Sequence, residues 1–262
     1  MKAMVRIFPF ETTIIYGPLF SRRLGRSLGV NLLPFDRKVC SFDCVYCHYG
    51  HTTVHTAMGR DLEIAATFPD MGNVLRAVET ALRRYPHVDA LTFSGNGEPT
   101  LHPHFPAIVA ETRRLRDAIA PNVKLALFSN ATTAHLSRIQ ESLNDFDLPI
   151  LKLDAGDPAT LARINRPAPG VTLDTILEGL KATPDLVVQS VLIDGVVSNI
   201  KGEAFEAWVT ALDAIRPAAV QIYSTDYPVP DVGVERVPPY ILKRIARKVT
   251  ERTGVRVGAF WY

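Results

Sequence analysis

Six short, nearly uninterrupted apolar runs, spaced by stretches whose apolar residues recur every three or four positions, restrict this chain more than any other feature. The runs fall at residues 28–33, 90–94, 123–129, 149–154, 186–194 and 220–224. Val123-Lys124-Leu125-Ala126-Leu127-Phe128 is representative, and such a run suits a strand covered on both faces, as in a parallel sheet. Between the runs, Met71, Val74, Leu75, Val78, Ala81, Leu82 and Tyr85 keep a helical period. So do Phe105, Ile108, Val109, Thr112, Leu115 and Ile119, then Phe205, Trp208, Val209, Leu212 and Ile215, then Ile241, Leu242, Ile245 and Val249. Residues 172–181 form a weaker helical stretch with Thr172 placed as its N-cap. Each helix offers one apolar stripe to a sheet. Alternation of this kind implies right-handed crossovers and parallel strands. Six units are too few for an eight-unit barrel, so the expectation is an α/β fold, a partial (β/α)6 barrel with a parallel sheet; a doubly wound open sheet is the alternative. In both, chemistry belongs at the C-terminal ends of the strands.

The 262 residues are 47% hydrophobic and 21% charged, an ordinary globular balance. One domain over residues 1–262 is expected, with a loop at 38–50 and a C-terminal helix and tail at 238–262. A net charge of +2 does not single out a nucleic-acid partner. Met1-Lys2-Ala3-Met4-Val5-Arg6 is not followed by a long apolar run, and no stretch approaches the roughly 20 apolar residues that span a bilayer. The expectation is a cytoplasmic protein with no membrane partner.

All three cysteines lie within eight positions, in Lys38-Val39-Cys40-Ser41-Phe42-Asp43-Cys44-Val45-Tyr46-Cys47-His48. An odd number makes a poor disulfide framework, and in a reducing compartment such a cluster points to metal or catalysis. The C-x3-C-x2-C spacing can wrap three thiolates around a cubane, and with no fourth cysteine one iron stays open to another ligand. Three rival readings stand beside it: a Cys3His zinc site completed by His48 or His51, haem on Cys44-Val45-Tyr46-Cys47-His48, and unliganded thiols. Further on, a strand runs into Ser94-Gly95-Asn96-Gly97-Glu98-Pro99-Thr100. It lacks the third glycine of a dinucleotide fingerprint, and by itself it reads as a glycine-rich strand-to-helix turn. Later strands end in Ser129-Asn130 and in Asp154, where polar residues are turn caps or ligand contacts. Gln189 and Ser190 interrupt another apolar run, and a polar group in a buried strand needs a partner.

With Tyr46 before its last cysteine, the C-x3-C-x2-C loop resembles that of the radical S-adenosylmethionine superfamily, and the Gly-Asn-Gly-Glu-Pro run resembles its Gly-Gly-Glu-Pro segment, with Asn96 as a departure. Tyr16-Gly17-Pro18, Ser21-Arg22-Arg23-Leu24-Gly25, Asn165-Arg166-Pro167 and Asp194-Gly195 with Asn199 narrow the likeness to an uncharacterised subgroup distantly similar to the wyosine tRNA-modifying enzymes. The resemblance implies a [4Fe–4S] cluster on Cys40, Cys44 and Cys47, with S-adenosylmethionine on the open iron. It implies cofactor contacts from Tyr46, Gly95, Asn96, Gly97, Glu98, Ser129, Asn130, Asp154, Gln189 and Thr225, with Glu98 meeting the ammonium or a nearby backbone donor and Asn130 and Asp154 the ribose. It also implies flavodoxin or ferredoxin as electron donor and a 5′-deoxyadenosyl radical acting on a substrate that is a small molecule, a peptide or tRNA. Tyr46, Tyr223 and Tyr227 are candidates for handling a hydrogen atom, while the catalytic residues stay unassigned. Arg22, Arg23 and Arg26 either hold an anion near the mouth or form a solvated turn. Lys243, Arg244, Arg247, Lys248 and Arg252 make a basic last helix, which leaves a zinc-stabilised nucleic-acid-binding module as the alternative to an enzyme.

Overall fold

The computed structural model describes residues 8–58, 62–226 and 228–261, the second segment without the side chains of residues 62 and 63. The opening residues 1–6, read above for a leader, and Tyr227 lie outside the described residues.

Eight strands form one sheet in chain order: β1 (Ile15–Ser21), β2 (Gly25–Val30), β3 (Ala90–Phe93), β4 (Lys124–Ser129), β5 (Leu148–Lys152), β6 (Val187–Val191), β7 (Ala219–Tyr223) and β8 (Val257–Ala259). β1 pairs antiparallel with β2, and every later pairing in this sheet is parallel. The helices between them are α1 (Met71–Arg84), α2 (Phe105–Ile119), α3 (Ser137–Leu143), α4 (Pro158–Ile164), α5 (Leu173–Ala182), α6 (Gly202–Ile215) and α7 (Pro239–Thr253). Because each crossover steps to the next strand on the same side, right-handed connections lay the helices on one face and the sheet curls around the other.

The side chains divide accordingly. Leu28, Leu91, Leu125, Leu151, Val188 and Val220 alternate toward the helices and pack with Val78, Ile108, Ile176, Trp208 and Val249. Leu24, Ala90, Ala126 and Ile150 form a separate small cluster on the concave face, joined by Phe128, Leu148 and Val187. This is the expected partial barrel with a mostly parallel sheet. The doubly wound alternative would reverse the strand order, and no reversal occurs.

Two expected strands are shorter than their apolar runs. β2 stops at Val30, since Asn31 folds the chain into a turn in which its amide donates to Leu33 O and its Oδ1 accepts from Leu33 N. The run at 186–194 is split: β6 ends at Val191, and Ile193–Gly195 pairs with Val234–Arg236. Asn199 makes the break by accepting from Ile193 N and donating to Val191 O. α3 and α4, unread in the sequence, span seven residues each, too few to display a period. Thr172 does cap α5, accepting from Thr175 N.

Ser190 faces the helices and is satisfied by neighbours. Its hydroxyl donates to Leu153 O and accepts from the indole of buried Trp208 at 3.1 Å, while the same indole N–H reaches Leu153 O at 3.0 Å. Trp208 therefore pins α6 across β5 and β6. Trp208→Ala is expected to cost about 3–5 kcal/mol in urea unfolding; a loss under about 1 kcal/mol would show that the seam relaxes around the gap.

Candidate active site

The C-terminal ends of the strands surround a cavity of about 490 Å³. The cysteine loop closes one wall, and it is zipped to the sheet by backbone. Val39 N donates to Asn96 O at 3.2 Å and Glu98 N donates to Val39 O at 3.0 Å. This approach excludes a side chain at position 97, where a Cβ would fall 1.9 Å from Val39 O; the φ of Gly97 is +143°. Gly95, at φ +127°, abuts the Asn31 side chain, with 2.5 Å from an added Cβ to Oδ1. The two glycines thus serve chain-to-chain approach. Asn96 is fully buried and turned away from the cavity: its amide donates to Glu11 O and Pro34 O, and its Oδ1 accepts from Glu11 N.

The far side of the loop rests on the segment after α4. Asp43 N donates to Asn165 O, Val45 N to Ile164 O, and Ala168 N to Ser41 O. Two carboxamides aim N–H groups at sulfur, Asn130 at Cys40 (3.5 Å) and Asn165 at Cys44 (3.4 Å). Asn130 also donates to Ser41 Oγ at 2.8 Å. Lys38, 2% exposed, donates to Gly50 O. Burial disfavours its charge, but the sulfurs of Cys47, Cys40 and Cys44 outweigh that and leave its pKa above the ordinary value. Burial pushes Cys40 up to about 12 and Cys44 up to about 11.

Glu98 is buried, and burial raises its pKa against the hydrogen bonds that lower it. Its carboxylate accepts from Asn130 N (2.6 Å), Thr100 N (3.1 Å) and Thr100 Oγ1 (2.6 Å), tying the end of β3 to the end of β4. Ser129 Oγ accepts from Ala131 N in the same turn. Asp154 stands behind the cavity wall. It accepts from Val191 N (2.7 Å), Asn165 Nδ2 (2.7 Å) and the Tyr46 hydroxyl, and Lys152 Nζ lies 3.4 Å away. Burial, with the Asp154 charge beside it, holds the Tyr46 phenol well above its usual range. Tyr223 donates to Gln189 Oε1 at 3.1 Å.

One cavity therefore gathers Cys40, Cys44, Cys47, Tyr46, Gly95, Gly97, Glu98, Ser129, Asn130, Gln189 and Thr225, while Asn96 and Asp154 act from behind it. Tyr16, Lys38 and Lys152 also line it, and nothing in the sequence reading assigned them there. Lys152 was legible only as a charge inside an apolar run. Tyr16 lies flat on Gly29, where a Cβ would fall 1.9 Å from its Cζ, and its hydroxyl meets Ser94 Oγ. The three arginines before the loop do not sit at the mouth. The β1–β2 turn lies at the opposite end of the strands, where Arg26 donates to His87 O and its backbone N to Asp89; only Arg23 enters the barrel.

Three free thiols lining one cavity, with no fourth cysteine in the sequence, are a donor set that fits an iron–sulfur cluster. Among the described residues no three His, Cys, Asp or Glu side chains gather around a point where one metal ion would sit. His51 is held between Asp43 (3.2 Å) and Asp231 (3.7 Å), and His48 stacks on Phe8. On the last helix, Lys248 and Arg252 face Glu206, Arg247 pairs with Glu251, and Lys243 lies over Trp261, so much of the basic face is internally compensated. Among the described residues no helix is long and apolar enough to cross a membrane.

The model of the Radical SAM superfamily matches residues 38–199, more than half of the sequence. The chain belongs to the radical S-adenosylmethionine superfamily. It is 30% identical over 220 residues to a UPF0026 protein of Helicobacter pylori, covering 82% of this chain and 67% of that one. In fold it is similar to Streptococcus suis SuiB bound to S-adenosylmethionine, with a TM-score of 0.62 and 14% identity over 89% of this chain. It spans half of SuiB's length (50%). It is also similar to TYW1, with a TM-score of 0.54 and 14% identity, covering 87% of this chain and 74% of that one.

Two outcomes test this geometry. Gly97→Ala should lose about 1–3 kcal/mol of stability from the strained φ alone, before the contact with Val39 O is counted, read by urea unfolding; an unchanged midpoint would show that the turn adopts another backbone conformation and that Val39 gives way. Raised thiol pKa values mean that the fold prefers neutral cysteines. The stability they contribute to the metal-free chain is present below their ordinary 9.0 and is lost as pH climbs through about 11 and 12. Its melting temperature should fall in that range, and by less in Cys40→Ala.

Proposed function

We propose that Cys40, Cys44 and Cys47 hold a [4Fe–4S] cluster and that S-adenosylmethionine binds across the cavity, from the cysteine loop to the ends of β3–β7. The observation that carries this reading is the backbone pairing of Val39 with Asn96 and Glu98, which sets the three free thiols and the Gly-Asn-Gly-Glu segment on adjoining walls of one cavity. When bound, the two groups together supply one-electron reductive cleavage of S-adenosylmethionine to a 5′-deoxyadenosyl radical, which takes a hydrogen atom from substrate.

The chain's own residues provide the setting. Lys38 places a buried cation behind the thiolate trio and offsets its negative charge. Asn130 and Asn165 orient Cys40 and Cys44 through their N–H groups. Glu98 fixes the strand ends that face the methionine moiety, and Gln189 and Thr225 supply polar edges for the nucleoside. Asp154 acts indirectly, holding Tyr46, Asn165 and Lys152 in place. Phe128, Ile150 and Val191 line the interior and keep water from the reacting atoms. The electron is supplied by flavodoxin or ferredoxin in the reducing cytoplasm, where three unpaired cysteines persist.

Anaerobic reconstitution is expected to load about four irons and four sulfides per chain. With dithionite and S-adenosylmethionine the loaded protein should form 5′-deoxyadenosine, and Cys44→Ala should lose both cluster and product. One zinc per chain in place of iron, or a full cluster retained in Cys44→Ala, overturns the assignment.

A further inference from the structure

The substrate of this radical chemistry is narrowed by an arginine that rises from the floor of the barrel, and the inference rests on the reading just given. Arg23 comes from the turn between β1 and β2, at the end of the barrel away from the cysteine loop, and its side chain rises inside. The guanidinium carbon lies 5.5 Å from the Phe128 ring centre and 4.7 Å from that of Tyr223. The two rings hold the plane of the fork. Its Nη1 is buried and makes no hydrogen bond among the described residues.

The acids nearest the cavity are committed elsewhere. Glu98 accepts from Thr100 and Asn130, Asp154 from Tyr46, Asn165 and Val191, and Glu11 faces the Tyr49 hydroxyl. Lys152 Nζ lies 5.8 Å from the same Tyr223 ring, but it is paired with Asp154 at 3.4 Å. Of the two positive groups at this ring, Lys152 has its carboxylate, and Arg23 has a buried donor with no acceptor. A buried donor left unpaired is costly, and a rigid guanidinium fork matches a carboxylate or phosphate.

We infer that Arg23 anchors an anionic group of the substrate: the compound acted on carries a carboxylate or phosphate that docks inside the barrel between Phe128 and Tyr223. An anchor there leaves the rest of the molecule between the Arg23 guanidinium and the cysteine-loop wall, where the radical is generated.

The test is binding to the reconstituted full-length protein by anaerobic thermal shift and calorimetry, at constant ionic strength, with three probes: propionate, inorganic phosphate and neutral propionamide. A saturable response to propionate or phosphate, absent with propionamide, is expected, and the stronger of the two anions names the group. Arg23→Gln should weaken that response by about tenfold or more, and Arg23→Lys, which keeps the charge but not the fork, by less. The dissociation constant for S-adenosylmethionine should stay within about threefold, since the hydrogen bonds at stake belong to a different ligand. The inference is overturned if neither anion gives a saturable response, if propionamide matches them, or if Arg23→Gln leaves the response intact. It is also overturned if S-adenosylmethionine binding falls as far as probe binding, which would make Arg23 a cofactor contact. Should Arg23→Gln not fold, Arg23→Lys and Phe128→Leu carry the same comparison. Probe binding needs no radical step, so loss of 5′-deoxyadenosine formation and loss of anion binding are separately visible.

Discussion

The short backbone ladder between Val39 and the Asn96–Glu98 peptides is the constraint on which the site depends. It fastens an irregular loop, which has almost no regular structure of its own, to the end of β3. The ladder exists only because position 97 has no Cβ. Once that edge is fixed, the other edge of the loop is positioned by the peptides of Ile164, Asn165 and Arg166. Three thiols that are neighbours in sequence are thereby presented on one wall, facing strand ends that come from most of the sheet. A loop held along two edges has little freedom to collapse when its sulfurs are not ligated.

Around this frame the interior is arranged by charge. Lys38 sits beside the sulfurs, Glu98 is saturated by backbone and hydroxyl donors, and Asp154 is shared among Tyr46, Asn165, Val191 and Lys152. Buried ionic groups persist only with such partners. Arg23 departs from the pattern: it has aromatic faces and no acceptor, deep in a cavity otherwise furnished with paired groups. The membership of the chain in the radical S-adenosylmethionine superfamily accounts for the cysteine wall and the glycine segment, which fall within the matched residues 38–199. Arg23 and Tyr16 lie ahead of that span and face the same cavity from the β1–β2 hairpin.

The apolar runs were enough to read the sheet from β3 to β7, because parallel strands covered by helices must be apolar at successive positions. β1 was not legible in that way: it is an edge strand, with Leu19 and Phe20 exposed, and its residues follow no core pattern. β8 is three residues long. Among the candidate site residues, the cysteines announced themselves by spacing, and Glu98 only through the likeness of its Gly-Asn-Gly-Glu-Pro run to a family segment. Asn165 could be noticed only as part of an Asn-Arg-Pro turn, and its reach to Cys44, Tyr46 and Asp154 joins segments far apart in the chain. Asp154 ended an apolar strand as a ligand contact would, yet its carboxylate is consumed by protein donors.

What the sequence determined by itself was the local chemistry: three thiols in one loop, two glycines flanking an asparagine, helices with one apolar stripe and strands with two covered faces. These follow from residue type and spacing, which act over a few positions. The tertiary structure alone decided which way each polar side chain points. Asn96 faces back to Glu11 and Pro34, Ser190 faces α6, and Arg23 enters the barrel while Arg26 stays at its foot. Those choices depend on strand register and on partners tens of residues away, because a buried polar atom goes where its hydrogen bond can be made, and that place is defined only when the sheet has closed around it.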